Sequence, residues 1–181
     1  MSGQIKLNND DYQLARGSAK SGDLETLESL IQQQKIDPKW ENSELLRMAA
    51  ESQQPHIVEY LIPLSDPKAL DSLALRWACE KTGIECVQLL LPHSDPTASN
   101  SAALRLAVTY GNYDAARLLF DLCDPQKALQ DLLDRPARSY GRKNVPAVFR
   151  QLWEEHESQK IREKIYENLE DNSTATLKRK M

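Results

Sequence analysis

The chain has 181 residues, 40% of them apolar, with few aromatics and six glycines. That suits one domain or one repeat array with short appendages, and it argues against a glycine-rich loop protein or a strand-and-turn sandwich. A formal net charge of −4 argues against a general nucleic-acid binder, and three cysteines are too few and odd in number for a disulfide framework.

In chain order, the opening "MSGQIKLNNDDYQ" lacks the apolar run of a signal peptide, and no stretch of 18 consecutive apolar residues follows. A cytoplasmic protein without a membrane span is the expectation. The segment "ARGSAKSGDLETLESLIQQQKIDP" then reads as an irregular first unit, with polar Gln32 to Gln34 ahead of an Asp-Pro. It suits the capping end of an array.

A repeat follows. Asp-Pro recurs at Asp37, Asp66, Asp95 and Asp124, each 29 residues after the last. Asn42-Ser43, Asp71-Ser72 and Asn100-Ser101 keep the interval, as do Leu46-Arg47, Leu75-Arg76 and Leu104-Arg105. Ala49, Ala78 and Ala107 continue it, followed by Leu61, Leu90 and Leu119. Each unit reads as two short helices. Asn42, Asp71 and Asn100 are expected N-caps of the first helix, their side-chain oxygens accepting from free amides. Apolar residues at i, i+3 and i+4 then continue it. Gln54-Pro55 and Gly111-Asn112 mark the turn to the second helix, and Pro63 and Pro92 end two of the second helices. A single unit buries too little apolar surface to offset its ordering entropy, so the units must stack into a solenoid.

"LRWACEKTGIECVQLLL" and "LRLAVTYGNYDAARLLF" resemble ankyrin repeats, with Ala107 and Gly111 at that motif's helix-one alanine and inter-helix glycine. The resemblance spans about residues 12–134. It departs from the family where Thr-Pro becomes Glu44-Leu45, Leu73-Ala74 and Ala102-Ala103, and where the family's histidine becomes Arg47, Arg76 and Arg105. The unit is about four residues shorter than the usual 33. The shortening falls in the β-hairpin connection, which predicts helical connections. The expected fold is therefore all-α: an ankyrin-type helical-repeat solenoid with shortened connections and a C-terminal helix. The array would occupy residues 12–150, in units of about 12–38, 39–67, 68–96 and 97–125 with a cap at 126–150. An amphipathic helix over 151–170 and a disordered tail over 171–181 complete it.

No chemistry is legible. Cys79 stands where Ala50 and Val108 do, Cys86 where Ile57 and Ala115 do, and Cys123 where Ser65 and Ser94 do; small core cysteines explain all three. No histidine pair has zinc-ligand spacing, and nucleotide-binding and nucleophile motifs are absent. A non-catalytic protein needing no cofactor or metal is the expectation. The resemblance implies a protein partner on a concave face, which maps to Trp40, Glu51, Lys68, Glu80, Lys81, Thr109 and Tyr110. Trp40 and Tyr110 are its aromatic anchors. Arg47, Arg76 and Arg105 form a ladder read as structural, with a cationic stripe for an acidic partner as the alternative. The short unit resembles bacterial and phage ankyrin proteins, which suggests a regulator or inhibitor of a bacterial enzyme or defence factor.

Two other surfaces stay open. Arg135, Arg138, Arg142, Lys143 and Arg150 form a basic segment for nucleic acid or a phosphorylated ligand. The C-terminal helix, with Phe149, Leu152 and Trp153 and then Ile161, Ile165 and Leu169, could cover the solenoid end, dock a partner as an accessory subunit, or self-associate.

Overall fold

The computed structural model describes residues 9–134 and 144–178, and the side chains of the last helix as far as residue 168. Ten helices appear among them: α1 (Asn9–Ser21), α2 (Leu24–Gln32), α3 (Trp40–Glu51), α4 (Pro55–Leu61), α5 (Ala69–Cys79), α6 (Glu85–Leu90), α7 (Ala98–Tyr110), α8 (Tyr113–Phe120), α9 (Pro125–Asp134) and α10 (Val145–Lys178). Short 3₁₀ turns at Ile62–Leu64 and Leu91–His93 follow α4 and α6, and no strand occurs among the described residues. The connections are helical, as the short unit predicts.

First helices stack on first helices, in the order α1, α3, α5, α7 and α9, and α4 packs on α6 in a second layer. Between the layers lies one core. Leu46, Leu75 and Leu104, then Ala49, Ala78 and Ala107, then Leu61, Leu90 and Leu119 are all fully buried within it. The in-register leucines and alanines of the sequence are thus the rows of this core.

The 29-residue interval has a hydrogen-bond basis. Ser43 Oγ accepts from the backbone N–H of Asp66 at 2.8 Å, Ser72 from Asp95 at 2.8 Å, and Ser101 from Asp124 at 2.9 Å. Each serine is 1% exposed, so this bond satisfies two polar groups that water does not reach. The aspartates carry a second bond: Asp37, Asp66 and Asp95 accept through Oδ1 from the backbone N–H two residues on, closing an Asx turn. Unit to unit, Asn/Asp-Ser and Asp-Pro are two halves of one joint.

The structure corrects the capping expectation. Asn42, Asp71 and Asn100 do not cap; α3, α5 and α7 begin two residues before them, without side-chain caps. Glu41–Ser43, Leu70–Ser72 and Ser99–Ser101 instead form a left-handed turn, with φ from +48 to +59°. Such a turn costs non-glycine residues about 1–2 kcal/mol each, least for Asn and Asp, which explains their presence at its centre. It closes through Ser43 N–H on Lys39 O, Ser72 N–H on Lys68 O and Ser101 N–H on Thr97 O. The serine joint to the next unit then holds it.

At the other edge, turns are joined by amides. Asn112 Oδ1 accepts from Ala115 N–H and caps α8, while its Nδ2 donates to the carbonyls of Lys81 and Gly83 in the previous turn. Gln54 Nε2 likewise donates to Lys20 O. Gly111, at φ +83°, makes the left-handed end of α7.

The C-terminal helix begins at Val145, earlier than expected. It runs to Lys178. Its first turns pack on α7, α8 and α9, burying Val145, Phe149 and Leu152.

Candidate functional site: the uncovered face of the first helices

The first-helix layer has one side against the second helices and one side open. On α5 the open side is the stripe Leu73, Arg76, Trp77 and Glu80, all half-buried, while Ala74, Leu75, Ala78 and Cys79 point into the core. The spacing i, i+3, i+4, i+7 is one helix face. Equivalent positions supply Glu44, Arg47 and Glu51 on α3 and Leu106 on α7, where Tyr110, the equivalent of Lys81, is exposed at the helix end. Acidic and basic side chains thus share the face with Trp77 on α3 and α5, while α7 adds only Leu106 and Tyr110.

The three arginines occupy equivalent positions and meet different neighbours. Arg47 donates from Nη2 to Glu41 O at 2.7 Å and from Nε to Asn42 O at 3.3 Å, tying down the left-handed turn. Its guanidinium lies 5.4 Å from the centre of the Trp77 ring, a cation–π stack. Arg105 is 4% exposed and pairs through Nε with Asp131 of α9 at 2.7 Å. Arg76, between them, has a buried Nε with no hydrogen-bond acceptor among the described residues. The ladder is structural at both ends; its middle rung leaves Nε without an acceptor among the described residues, while its charge acts on the neighbouring Glu80 and opposes the rise of that carboxyl.

Burial shapes the electrostatics beside it. Desolvation raises the Glu80 carboxyl above its usual range, Lys81 opposes the shift and the stacked Glu51 adds to it. Glu80 thus retains a proton more readily than a free glutamate.

Of the residues expected to meet a partner, Glu51 and Glu80 lie on this face, Tyr110 ends it at 45% exposure, and Lys68 and Lys81 are exposed at its margins. Trp40 is half-buried against the core and packs edge-on to Tyr12, ring centres 4.0 Å apart. It covers the first unit. Thr109 is a correction: it is 2% exposed, and its hydroxyl donates to Arg105 O at 2.7 Å, so it offers nothing to a partner. Sequence reasoning did not place Leu73, Trp77 or Leu106 on this face. A signal existed in their alignment with the arginines along the helix.

Cys79 and Cys86 are core residues, and Cys123 is half-buried with Sγ donating to Pro96 O at 3.2 Å. Burial pushes the Cys86 and Cys123 thiols up to about 11 and the Cys79 thiol up further. No cluster of three metal-ligating side chains occurs among the described residues, and no helix there is long and apolar enough to cross a membrane. Arg135, Arg138, Arg142 and Lys143 lie outside the described residues; Arg150 is exposed on α10.

Comparison with known families fits this geometry. The family model for ankyrin repeats in three copies matches residues 14–100 and 46–131. The chain belongs to the ankyrin-repeat family. Ankyrin repeats serve as protein–protein interaction modules, typically without catalysis. None of the curated proteins searched matches this ankyrin chain.

Proposed function

We propose that this ankyrin solenoid holds another protein on the open face of α3, α5 and α7, with a carboxylate of the partner paired to Arg76. The observation that carries this reading is the Arg76 guanidinium, whose Nε has no acceptor among the described residues. Its two equivalents are engaged within the chain, and it shares its helix face with the half-buried Leu73 and Trp77, which offer apolar surface. A carboxylate against a partly desolvated arginine forms a charge-assisted bond, stronger than a neutral one. Trp77, already stacked under Arg47, is a rigid anchor of the kind that dominates interfaces. Tyr110 and Lys81 extend the contact at one margin, and Glu51 and Glu80 select against acidic residues elsewhere in the partner. The role that suits a small binding module is regulator or inhibitor of a cytoplasmic enzyme or defence factor, in a bacterial or phage setting.

A tagged pull-down from native lysate, with and without nuclease, tests this. Wild type is expected to retain one stoichiometric protein after nuclease treatment. Arg76→Ala should lose it, with affinity reduced about 10- to 100-fold for one charged hydrogen bond, at an unchanged melting temperature. Retention by Arg76→Ala defeats the reading. Recovery of nucleic acid alone, through the basic residues 135–150, defeats it as well.

A further inference from the structure

The last polar contact between α10 and the body among the described residues is at Lys160, whose Nζ lies 2.6 Å from Asp121 Oδ1 beside the His156 ring. From Ile161 to Asn168 every residue is exposed, including Ile161 at 59%, Ile165 at 52% and Tyr166 at 68%. The helix nevertheless continues to Lys178, about 27 Å further at roughly 1.5 Å per residue. A helical stretch exposed all round, as over 161–168, is marginal in water. At its base, Leu129 of α9 and Trp153 and Ile161 of α10 line an apolar groove, rimmed by Arg150, Glu154 and Glu157.

We propose that a second copy of this chain covers this face, the two α10 helices running antiparallel and crossing at Ile161. The charges select both the occupant and the direction. Glu157 lies four residues before Ile161 and Lys164 three residues after it, spacings that put all three on one helical face. In an antiparallel pair centred on Ile161, Glu157 of each copy lies opposite Ile165 of the other and one residue, about 1.5 Å along the axis, from its Lys164, so the long side chains form two identical ion pairs about a two-fold axis. Parallel pairing would set Glu157 on Glu157 and Lys164 on Lys164. Ile161 packs on its own equivalent at the crossing. Ile165 of each copy enters the other's groove toward Trp153 and Leu129. The acidic–apolar–basic order of one helix is thus complementary to its own reverse, which makes the surface isologous. The pair leaves the open face of α3, α5 and α7 uncovered, so each protomer of the dimer still presents its Arg76.

Sedimentation equilibrium of the full chain over a wide concentration range tests the pairing. Wild type is expected to be a dimer, and the doubly substituted Ile161→Asp/Ile165→Asp a monomer with unchanged solenoid melting. Glu157→Lys and Lys164→Glu should each weaken the dimer by about tenfold, the size of losing two exposed ion pairs to repulsion. The combined Glu157→Lys/Lys164→Glu chain should regain wild-type affinity. A wild-type monomer at all concentrations overturns the proposal. So does a dimer indifferent to Ile161 and Ile165, or a combined reversal no tighter than either single one.

Discussion

The middle of the solenoid and its C-terminal end use the same residues to different ends. In the middle, Asp66 and Asp95 close Asx turns and receive a serine from the preceding unit, and a left-handed turn follows. Asp124 receives Ser101 in the same way, but its Oδ1 accepts from Lys127 N–H, three residues on, and Pro125 opens α9 directly. The joint is kept on the side that faces the array and abandoned on the side that faces the end. Beyond it, contacts are made singly: Arg105 with Asp131, Phe120 edge-on to Phe149 at 5.7 Å, Asp121 with His156 and Lys160. A repeat signal therefore persists only where another unit must dock on it, and one-off contacts close the stack.

That contrast can be broken at its end first. Phe149 is fully buried and its only aromatic partner among the described residues is Phe120. Phe149→Ala should cost about 3–5 kcal/mol. By denaturant unfolding the loss should appear as early melting of α9–α10, with the middle units intact. Loss of all units together would show that the end is as integral as the middle.

Smaller effects should show the middle's uniformity. Ser43→Ala, Ser72→Ala and Ser101→Ala each leave a backbone N–H of an aspartate unpaired, at about 1–3 kcal/mol. The three values should agree, since the bonds differ by only 0.1 Å between 2.8 and 2.9 Å. A serine whose removal is silent would remove the joint from the account of the 29-residue interval.

The smallest effect is chemical. At neutral pH a thiol reagent should label Cys123 before Cys79 or Cys86, because only Cys123 is half-exposed. The folded thiols of Cys86 and Cys123 titrate near 11, above the ordinary 9.0. A raised folded value means that the unfolded chain ionises first. This part of the stability is complete below about pH 9 and lost as pH rises toward 11. Melting temperatures across that range should fall. A flat profile would contradict the burial.

Much of the fold was legible in the sequence because a stacked array repeats its core. Leucine and alanine rows at a fixed interval leave little choice of architecture, and the short unit correctly implied helical connections. Asn42, Asp71 and Asn100 were misread because asparagine and aspartate favour both N-caps and left-handed backbone. Only the next unit, 23 residues beyond each serine, decides between them. The arginine ladder was legible as a ladder, but not its differing fates. Those depend on what stands one unit further on: Trp77 beyond Arg47, Leu106 beyond Arg76, Asp131 beyond Arg105. The family resemblance put Thr109 with Tyr110 on the concave face, yet consecutive helix residues point different ways, and Thr109 turns inward with its hydroxyl on Arg105 O.

The central claim is that Arg76 marks the binding face, and its most direct test is a site-specific photocrosslinker placed in turn at Trp77, Tyr110 and Tyr113 in the native cell. Tyr113 is exposed on the second-helix layer and serves as the opposing face. Crosslinks to one protein from Trp77 and Tyr110 with none from Tyr113 are predicted. Crosslinks from Tyr113 alone would place the partner on the other side and contradict the account.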